Sequence, residues 1–386
     1  MKKLALLLLP FFLSASSVEY KGDIGFEADY ISHDIDNKRD NSLALRLNLE
    51  LKKNFGDGEI VTKAKGILDK DDKERRYIEF SDLYYKYNFE NSDILVGKNT
   101  RFWGALEFYN ITDIFNTKDW LDNPFDYDSK LGSWNMAYTH YFDSSELSLI
   151  VKLKEQKQKI QDTESVNNFF PLPYDDNLHT QKSKNHPSIY LKYSGSGEEI
   201  QLDYSLIYEN GYDNQRYMSV NNRKLRQNAY LVDKFLAYAT LVSGESIYKA
   251  EASYTISDDE KVSDYGQVGF GVEYTLYGLW DKKDLGLLAE YYRYEVKDDD
   301  KLEISNLFKD DLTLGFRLSI NDASSSEVLG GVDLDMDNHE KIYFVEYDTR
   351  ILDKYKLELS YQHLSPKSES VFQELDRIQV QFGYYF

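Results

Sequence analysis

Three observations predict an all-β chain, a transmembrane antiparallel up-and-down β-barrel of about eighteen strands (sixteen to eighteen) with short periplasmic turns and long surface loops. Apolar and polar residues alternate with period two in run after run. Short and long connections between these runs take turns along the chain. The chain also ends on a bare apolar strand although its mean hydropathy is −0.60.

The alternation is strict. In VEYKGDIGFEADY, Val18, Tyr20, Ile24, Phe26, Ala28 and Tyr30 are apolar or small, while Glu19, Lys21, Asp23, Glu27 and Asp29 are charged. A period of two places one set on each face of a strand, whereas a helix would repeat every 3.6 residues. The pattern recurs in LALRLNLEL from Leu43, SLIVKL around Leu149, IQLDYSLIY from Ile200, YKAEASYTI from Tyr248 and VGFGVEYTL from Val268. It returns in LTLGFRLSI from Leu312, YKLELSY from Tyr355 and the closing IQVQFGYYF. Strands are expected to begin near residues 18, 42, 59, 77, 92, 132, 146, 187, 199, 229, 246, 264, 284, 311, 326, 341, 354 and 376.

The connections fix the architecture. NFGDG, FENSD, FDSS, SGSGEE and SGES are tight, turn-rich links. Between them lie SHDIDNKRDN, about thirty residues after Lys98, a second long stretch from Glu155 to Pro187, and ENGYDNQRYMSVNNRKLRQN; YGLWDKKD and DMDNHE blur the contrast. Turns at one rim and loops at the other are the pattern of a membrane barrel. A β-sandwich would use shorter strands with no such parity. A solenoid would show a fixed repeat, and none is present.

The N-terminus reads as an export signal. MKKLALLLLPFFLSASS has two lysines, an apolar run from Leu4 to Leu13 and small residues at 14–17, the layout of a cleaved secretory segment. Its apolar core is too short to span a bilayer as a helix. Residues 1–17 are therefore expected to be a signal peptide for the Sec route and residues 18–386 a single barrel domain. Removing both lysines takes the formal charge from −21 to −23. The chain has no cysteine, which excludes disulfides and thiolate metal sites. Strong acidity argues against nucleic acid as a partner.

The last strand explains itself in lipid. Hydrocarbon offers no hydrogen bonds, so an open sheet edge is forbidden and the final strand must pair with the first. Ile378, Val380, Phe382 and Tyr384 would face lipid, with Phe386 at the aromatic girdle. With these residues the chain resembles Gram-negative outer-membrane proteins, which end in an alternating strand closed by Phe. The resemblance implies recognition of that strand by the barrel-assembly machinery, and contact with outer-membrane lipid and lipopolysaccharide.

A second resemblance is narrower. VGKNTRFWG (Val96 to Gly104) followed by ITDIFNTKDWLDNPFDYD (Ile111 to Asp128) is similar to the passage from strand to loop in porin-type barrels. Lys98 and Asn99 match the basic-amide pair, Trp103 and Gly104 the Trp-Gly, and Asn123, Pro124 and Asp126 the loop; the inserted TKDWLD departs from the pattern. The resemblance implies an inward-folding third loop, about 98–132, that narrows a channel.

An eighteen-strand barrel is wide enough to hold water unless it is plugged. Lumen-facing positions are expected at Glu19, Asp23, Glu27, Asp29, Arg46, Glu50, Lys63, Lys65, Arg317, Asp333, Asp335, Lys356, Glu358 and Arg377. At the constriction, Asp113, Asp119, Asp122, Asp126 and Asp128 would oppose Lys98, Arg101 and Lys118. Carboxylate rings favour cations, which points to a cation bias. The same acids could equally solvate a surface loop or bind divalent ions that bridge lipopolysaccharide. The basic stretch Arg223, Lys224 and Arg226 is expected on an exposed loop.

Catalysis finds little support. The six histidines, at 33, 140, 179, 186, 339 and 363, lack the spacing of a helical zinc motif. His140 or His363 beside a serine and a carboxylate would suit a lipid hydrolase, but no serine has a nucleophile context. Asp34, Asp36 and Asp40, like Asp333, Asp335 and Asp337, alternate as in a calcium loop without its glycine and distal glutamate. No metal or cofactor is expected. The sequence thus predicts a non-enzymatic, porin-like channel for passive diffusion of small hydrophilic solutes. The alternative is a closed barrel acting as adhesin, polysaccharide-binding or receptor surface. The oligomeric state is open, a homotrimer among the options.

Overall fold

The computed structural model describes residues 18–32, 39–121, 129–161, 163, 165, 168, 172–197, 199–304, 308–366 and 374–386. Its first nine barrel strands are β1 (Glu19–Ser32), β2 (Asn41–Phe55), β3 (Gly58–Asp69), β4 (Arg76–Asn88), β5 (Ser92–Asn99), β6 (Ser133–Tyr141), β7 (Ser145–Lys152), β8 (Ser188–Ser196) and β9 (Leu202–Tyr212). The second half comprises β10 (Leu231–Ser243), β11 (Ser246–Ser257), β12 (Tyr265–Gly278), β13 (Lys283–Val296), β14 (Asp310–Ser319), β15 (Glu327–Asp335), β16 (Lys341–Ile351), β17 (Tyr355–Ser365) and β18 (Leu375–Tyr385). Each strand begins within three residues of its expected position, the largest offset being at β9.

Every strand pairs antiparallel with its sequence neighbours, and β18 returns to β1, which makes one closed sheet of 18 strands. Asp23 stands opposite Tyr385 and Ser32 opposite Asp376. Beyond that ladder, Gly22 and Phe386 exchange two backbone hydrogen bonds of 3.1 and 3.0 Å. The terminal residue is thus the last rung of the seam.

Connection parity holds with one exception, the seven residues 320–326 after β14, which outnumber the five after β15 and the six after β3. Even-numbered strands lead into tight links, including the four-residue helix Leu279–Lys282. Odd-numbered strands otherwise lead into the longer connections, except that DMDNHE, around residues 336–340, lies at the loop rim but is as short as the turn-rim links. Both described ends of the cylinder therefore sit at the turn rim.

The two faces differ as the alternation requires. Along β6, Trp134, Met136 and Tyr138 are 39, 49 and 44% exposed, while Ser133 and Asn135 are fully buried. On β18, Ile378, Val380, Phe382 and Tyr384 are all exposed, as is Phe386. An apolar outer belt over a polar inner face is the reverse of a water-soluble barrel, and it suits a hydrocarbon surrounding.

The connections are more structured than plain loops. Tyr217–Asn221 and Lys224–Ala229 form a hairpin, and Tyr174–Thr180 adds to it in parallel. Asn222 and Arg223 make its turn with φ of 49° and 59°, the left-handed pair of a type I′ turn. Arg223 and Lys224 are exposed at its tip. Thr117–Lys118 pairs with Lys130–Leu131 inside the connection that follows β5.

Candidate functional site

The connection between β5 and β6 starts from a polar root. Asn116 donates to the carbonyls of Asn99 (3.1 Å) and Leu131 (3.0 Å), and its own carbonyl accepts from the Arg101 amide at 2.7 Å. The Thr100 amide donates to Asp82 on β4 at 2.8 Å. Beyond the root, Trp103, Ile114 and Phe115 pack with Tyr190 of β8, Ile207 of β9 and Leu236 of β10. These wall residues all lie on the inner face.

The far end of the connection is held by two carboxylates on distant strands. Glu251 of β11 accepts from the amides of Ala105 (2.6 Å), Leu106 (3.0 Å) and Thr112 (2.9 Å), and from the Thr112 hydroxyl at 3.0 Å. Glu290 of β13 accepts from the amides of Glu107 (2.7 Å) and Phe108 (3.1 Å), and the Tyr292 hydroxyl meets the Tyr109 amide at 3.0 Å. Apolar contacts fill in behind. A Cβ at Gly269 of β12 would lie 2.6 Å from Leu106 and 3.0 Å from Ile111, and one at Gly315 of β14 would lie 2.7 Å from the Phe108 ring. Those glycines keep space for the connection's side chains. Phe108 also meets Phe344 of β16 edge-on at 5.4 Å.

Charges surround the root in pairs. Lys98 is bonded to Glu79, which also takes Lys159 at 2.8 Å. Asp113 is bracketed by Lys130 at 2.5 Å and Lys118 at 3.4 Å. Asp119 lies 3.9 Å from Lys159; burial raises its pKa, while Lys159 and Lys65 pull the other way. Arg101 donates to the Asn135 side chain at 3.3 Å and rests over the Phe115 ring, and burial lowers its pKa. Asp122, Asp126 and Asp128 lie outside the described residues.

Two cavities adjoin this root. One, of about 580 Å³, is lined by Lys65, Glu79, Ser81, Thr100, Arg101, Phe102, Asp119, Ser129 and Lys130. The other, of about 350 Å³, is bounded among others by Lys86, Asp93, Tyr141, Glu146 and Lys192, and shares Thr100, Arg101 and Phe102 with the first. Among the described residues, each wall carries three cationic and two acidic side chains.

The inner wall elsewhere is a mosaic of ion pairs. Glu27 joins Arg46 and Arg75, Arg75 also meets Asp69 at 2.9 Å, and Asp29 holds Arg377 at 2.7 Å. Asn48 donates to Asp23, and Glu50 meets Lys21 at 3.3 Å and Lys63 at 3.7 Å. Arg317 is bonded to Glu107 of the β5–β6 connection and lies 3.5 Å from Glu327; Lys249 meets Glu107 at 3.3 Å. Asp333 accepts from Thr313, Lys356 pairs with Glu358, and Glu19 is exposed at the start of β1. Sequence reasoning did not single out Glu251, Glu290, Glu107 or Phe102.

Among the described residues, the candidate catalytic groups His140 and His363 sit in unrelated surroundings. His363 pairs with Asp376 at 3.0 Å, and His140 packs edge-on against Phe142. Among the described residues no cluster of three or more His, Asp or Glu side chains could hold a metal ion.

No protein-family model matches this chain. No curated protein matches it either. Solved structures do. OccAB4 of Acinetobacter baumannii is similar over 95% of this chain and 98% of its own at 12% identity, with a TM-score of 0.58. OccAB1 of the same organism covers 95% and 96% at 10% identity and a TM-score of 0.59. OccK3 (OpdO) of Pseudomonas aeruginosa gives 95%, 96%, 10% and 0.56. At such identities the likeness concerns architecture: this chain shares, along nearly its whole length, the closed β-barrel fold of those three proteins.

Proposed function

We propose that this protein is a bacterial outer-membrane channel through which small hydrophilic solutes diffuse passively. The observation that carries the reading is the course of the β5–β6 connection. It is tied to Glu251, Glu290 and Tyr292 on strands far around the cylinder, with polar cavities at its root. On this reading the third loop, about 98–132, folds inward and narrows the lumen. The ion-paired wall supports the same view, because fixed charges of both signs orient a passing dipole and disfavour apolar solutes. No step requires a catalyst.

Cation preference belongs to the same proposal, but Asp113 and Asp119 lend it little, since lysines compensate both. It then rests on Asp122, Asp126 and Asp128. Export through the Sec route, with residues 1–17 removed, and contact with lipopolysaccharide complete the reading.

Planar-bilayer recording of refolded protein tests it. Stepwise currents are expected, with a cation-biased reversal potential under a KCl gradient that moves toward zero when Asp119 and Asp122 are both changed to Asn. Insertion without any steps would favour the closed-barrel receptor instead.

A further inference from the structure

Resting on the reading that the third loop narrows a water-filled lumen, we infer that Phe102 is the side chain that sets the size limit of the passage.

The two cavities lie on opposite sides of the loop's root. The larger is bounded by Lys65 and Glu79 on the loop-rim side, the smaller by Lys86 and Glu146 near the turn rim. Among the described residues, only Thr100, Arg101 and Phe102 border both. Thr100 is tied to Asp82 through its amide and, at 3.3 Å, its hydroxyl. Arg101 is turned into the wall against Asn135 and Phe115. Phe102 remains 54% exposed between this residue and the buried Trp103.

A lone exposed phenylalanine is ordinary on a protein surface. Position distinguishes this one. Its backbone is fixed on both sides, by the bonded root before it and by the Trp103 cluster after it. The Lys130 ammonium sits 4.9 Å from its ring centre, and that ammonium is itself held by Asp113 at 2.5 Å. A cation over an aromatic face holds the ring by electrostatic attraction. The result is a rigid, uncharged sill in an otherwise charged passage, and an uncharged sill discriminates by bulk rather than by sign. Phe102 is the specificity-determining residue here, and Lys130 is its positioning residue.

The chain has no cysteine, so Phe102→Cys in the full-length protein introduces its sole thiol. In planar bilayers, a water-soluble methanethiosulfonate reagent should cause a stepwise loss of single-channel current that dithiothreitol reverses. Phe102→Ala should raise conductance and admit larger neutral sugars in liposome swelling, with the reversal potential unchanged; Phe102→Trp should lower conductance. Lys130→Gln should free the ring and increase open-channel noise, and in a Phe102→Cys/Lys130→Gln double variant the thiol should remain reactive. Each variant is first checked for the heat-dependent gel shift of a closed barrel, and the Trp and Cys variants carry the test if the Ala variant does not fold. Unchanged currents in the Trp variant and after complete thiol modification, in a protein whose wild type conducts, would overturn the assignment. A wild type that never conducts would instead defeat the channel reading, and the sill with it.

Discussion

Glu251 accepts four hydrogen bonds from residues 105–112, and no cation is among its bonded partners within the described residues. A buried carboxylate is costly to desolvate, and here amide dipoles do the compensating. Truncation to alanine would orphan three amides at once. With charge-assisted bonds worth about 1.5–3 kcal/mol each, Glu251→Ala should free the far end of the connection without opening the barrel. The expected readout is flickering current and faster proteolysis of residues 100–131, with the heat-dependent gel shift retained. Quiet, wild-type currents would refute the clamp. Gly269→Val should act similarly from the other side, by filling the space that Leu106 and Ile111 occupy. In the sequence Glu251 is one more polar position in YKAEASYTI. Its partners stand 139 to 146 residues away, and no local spacing reveals a contact of that range. Phe102 was hidden differently, because its role depends on which two cavities it separates.

The strands were legible because one physical constraint, an apolar outer face over a polar inner one, is written into every second residue. The connections obey no such rule, and there the sequence was readable only at its punctuation. The Asn222–Arg223 turn is an example: its left-handed geometry makes a hairpin where only an exposed basic loop was expected. The connection after β9 is anchored by Asp213, which accepts from Lys234, Tyr230 and Tyr265, each at 2.6 Å. Burial pushes this carboxyl up, but attraction to Lys234 and the three hydrogen bonds outweigh it, and the net pKa falls below the ordinary aspartate value. A lowered folded-state pKa means the stabilisation is complete above the unfolded value of about 3.9 and is lost as pH falls through the lower folded value. Amide exchange across residues 213–230 should therefore accelerate below about pH 4 relative to the intrinsic rate. Asp213→Asn leaves Lys234 buried without its counter-charge, a loss of about 3–5 kcal/mol for a broken buried pair. That variant should exchange fast at neutral pH and show no further acid step; an unchanged acid step would assign the transition to other groups.

At the scale of the whole molecule, the seam between β18 and β1 decides whether the sheet is a cylinder at all. A strand edge in hydrocarbon leaves backbone groups unpaired at several kcal/mol each, so the ladder from Asp23 opposite Tyr385 to Ser32 opposite Asp376 cannot be dispensed with. Phe386 adds only the final two bonds, to Gly22. Net hydrogen bonds are worth about 0.5–1.5 kcal/mol, so deleting this single residue should cost little once the barrel is closed. The resemblance of the last strand to outer-membrane proteins makes a different demand, that the terminal ring be read by the assembly machinery before closure. Deletion of Phe386 separates the two roles. Refolding into detergent should give a heat-shifted barrel in near-normal yield, while the outer-membrane fraction of expressing cells should be depleted of the protein. Removing residues 375–386 should abolish both. If loss of Phe386 alone prevents refolding in detergent, the ring's main contribution is to closure, and its exposed position on the seam beside Gly22 is structural rather than a signal.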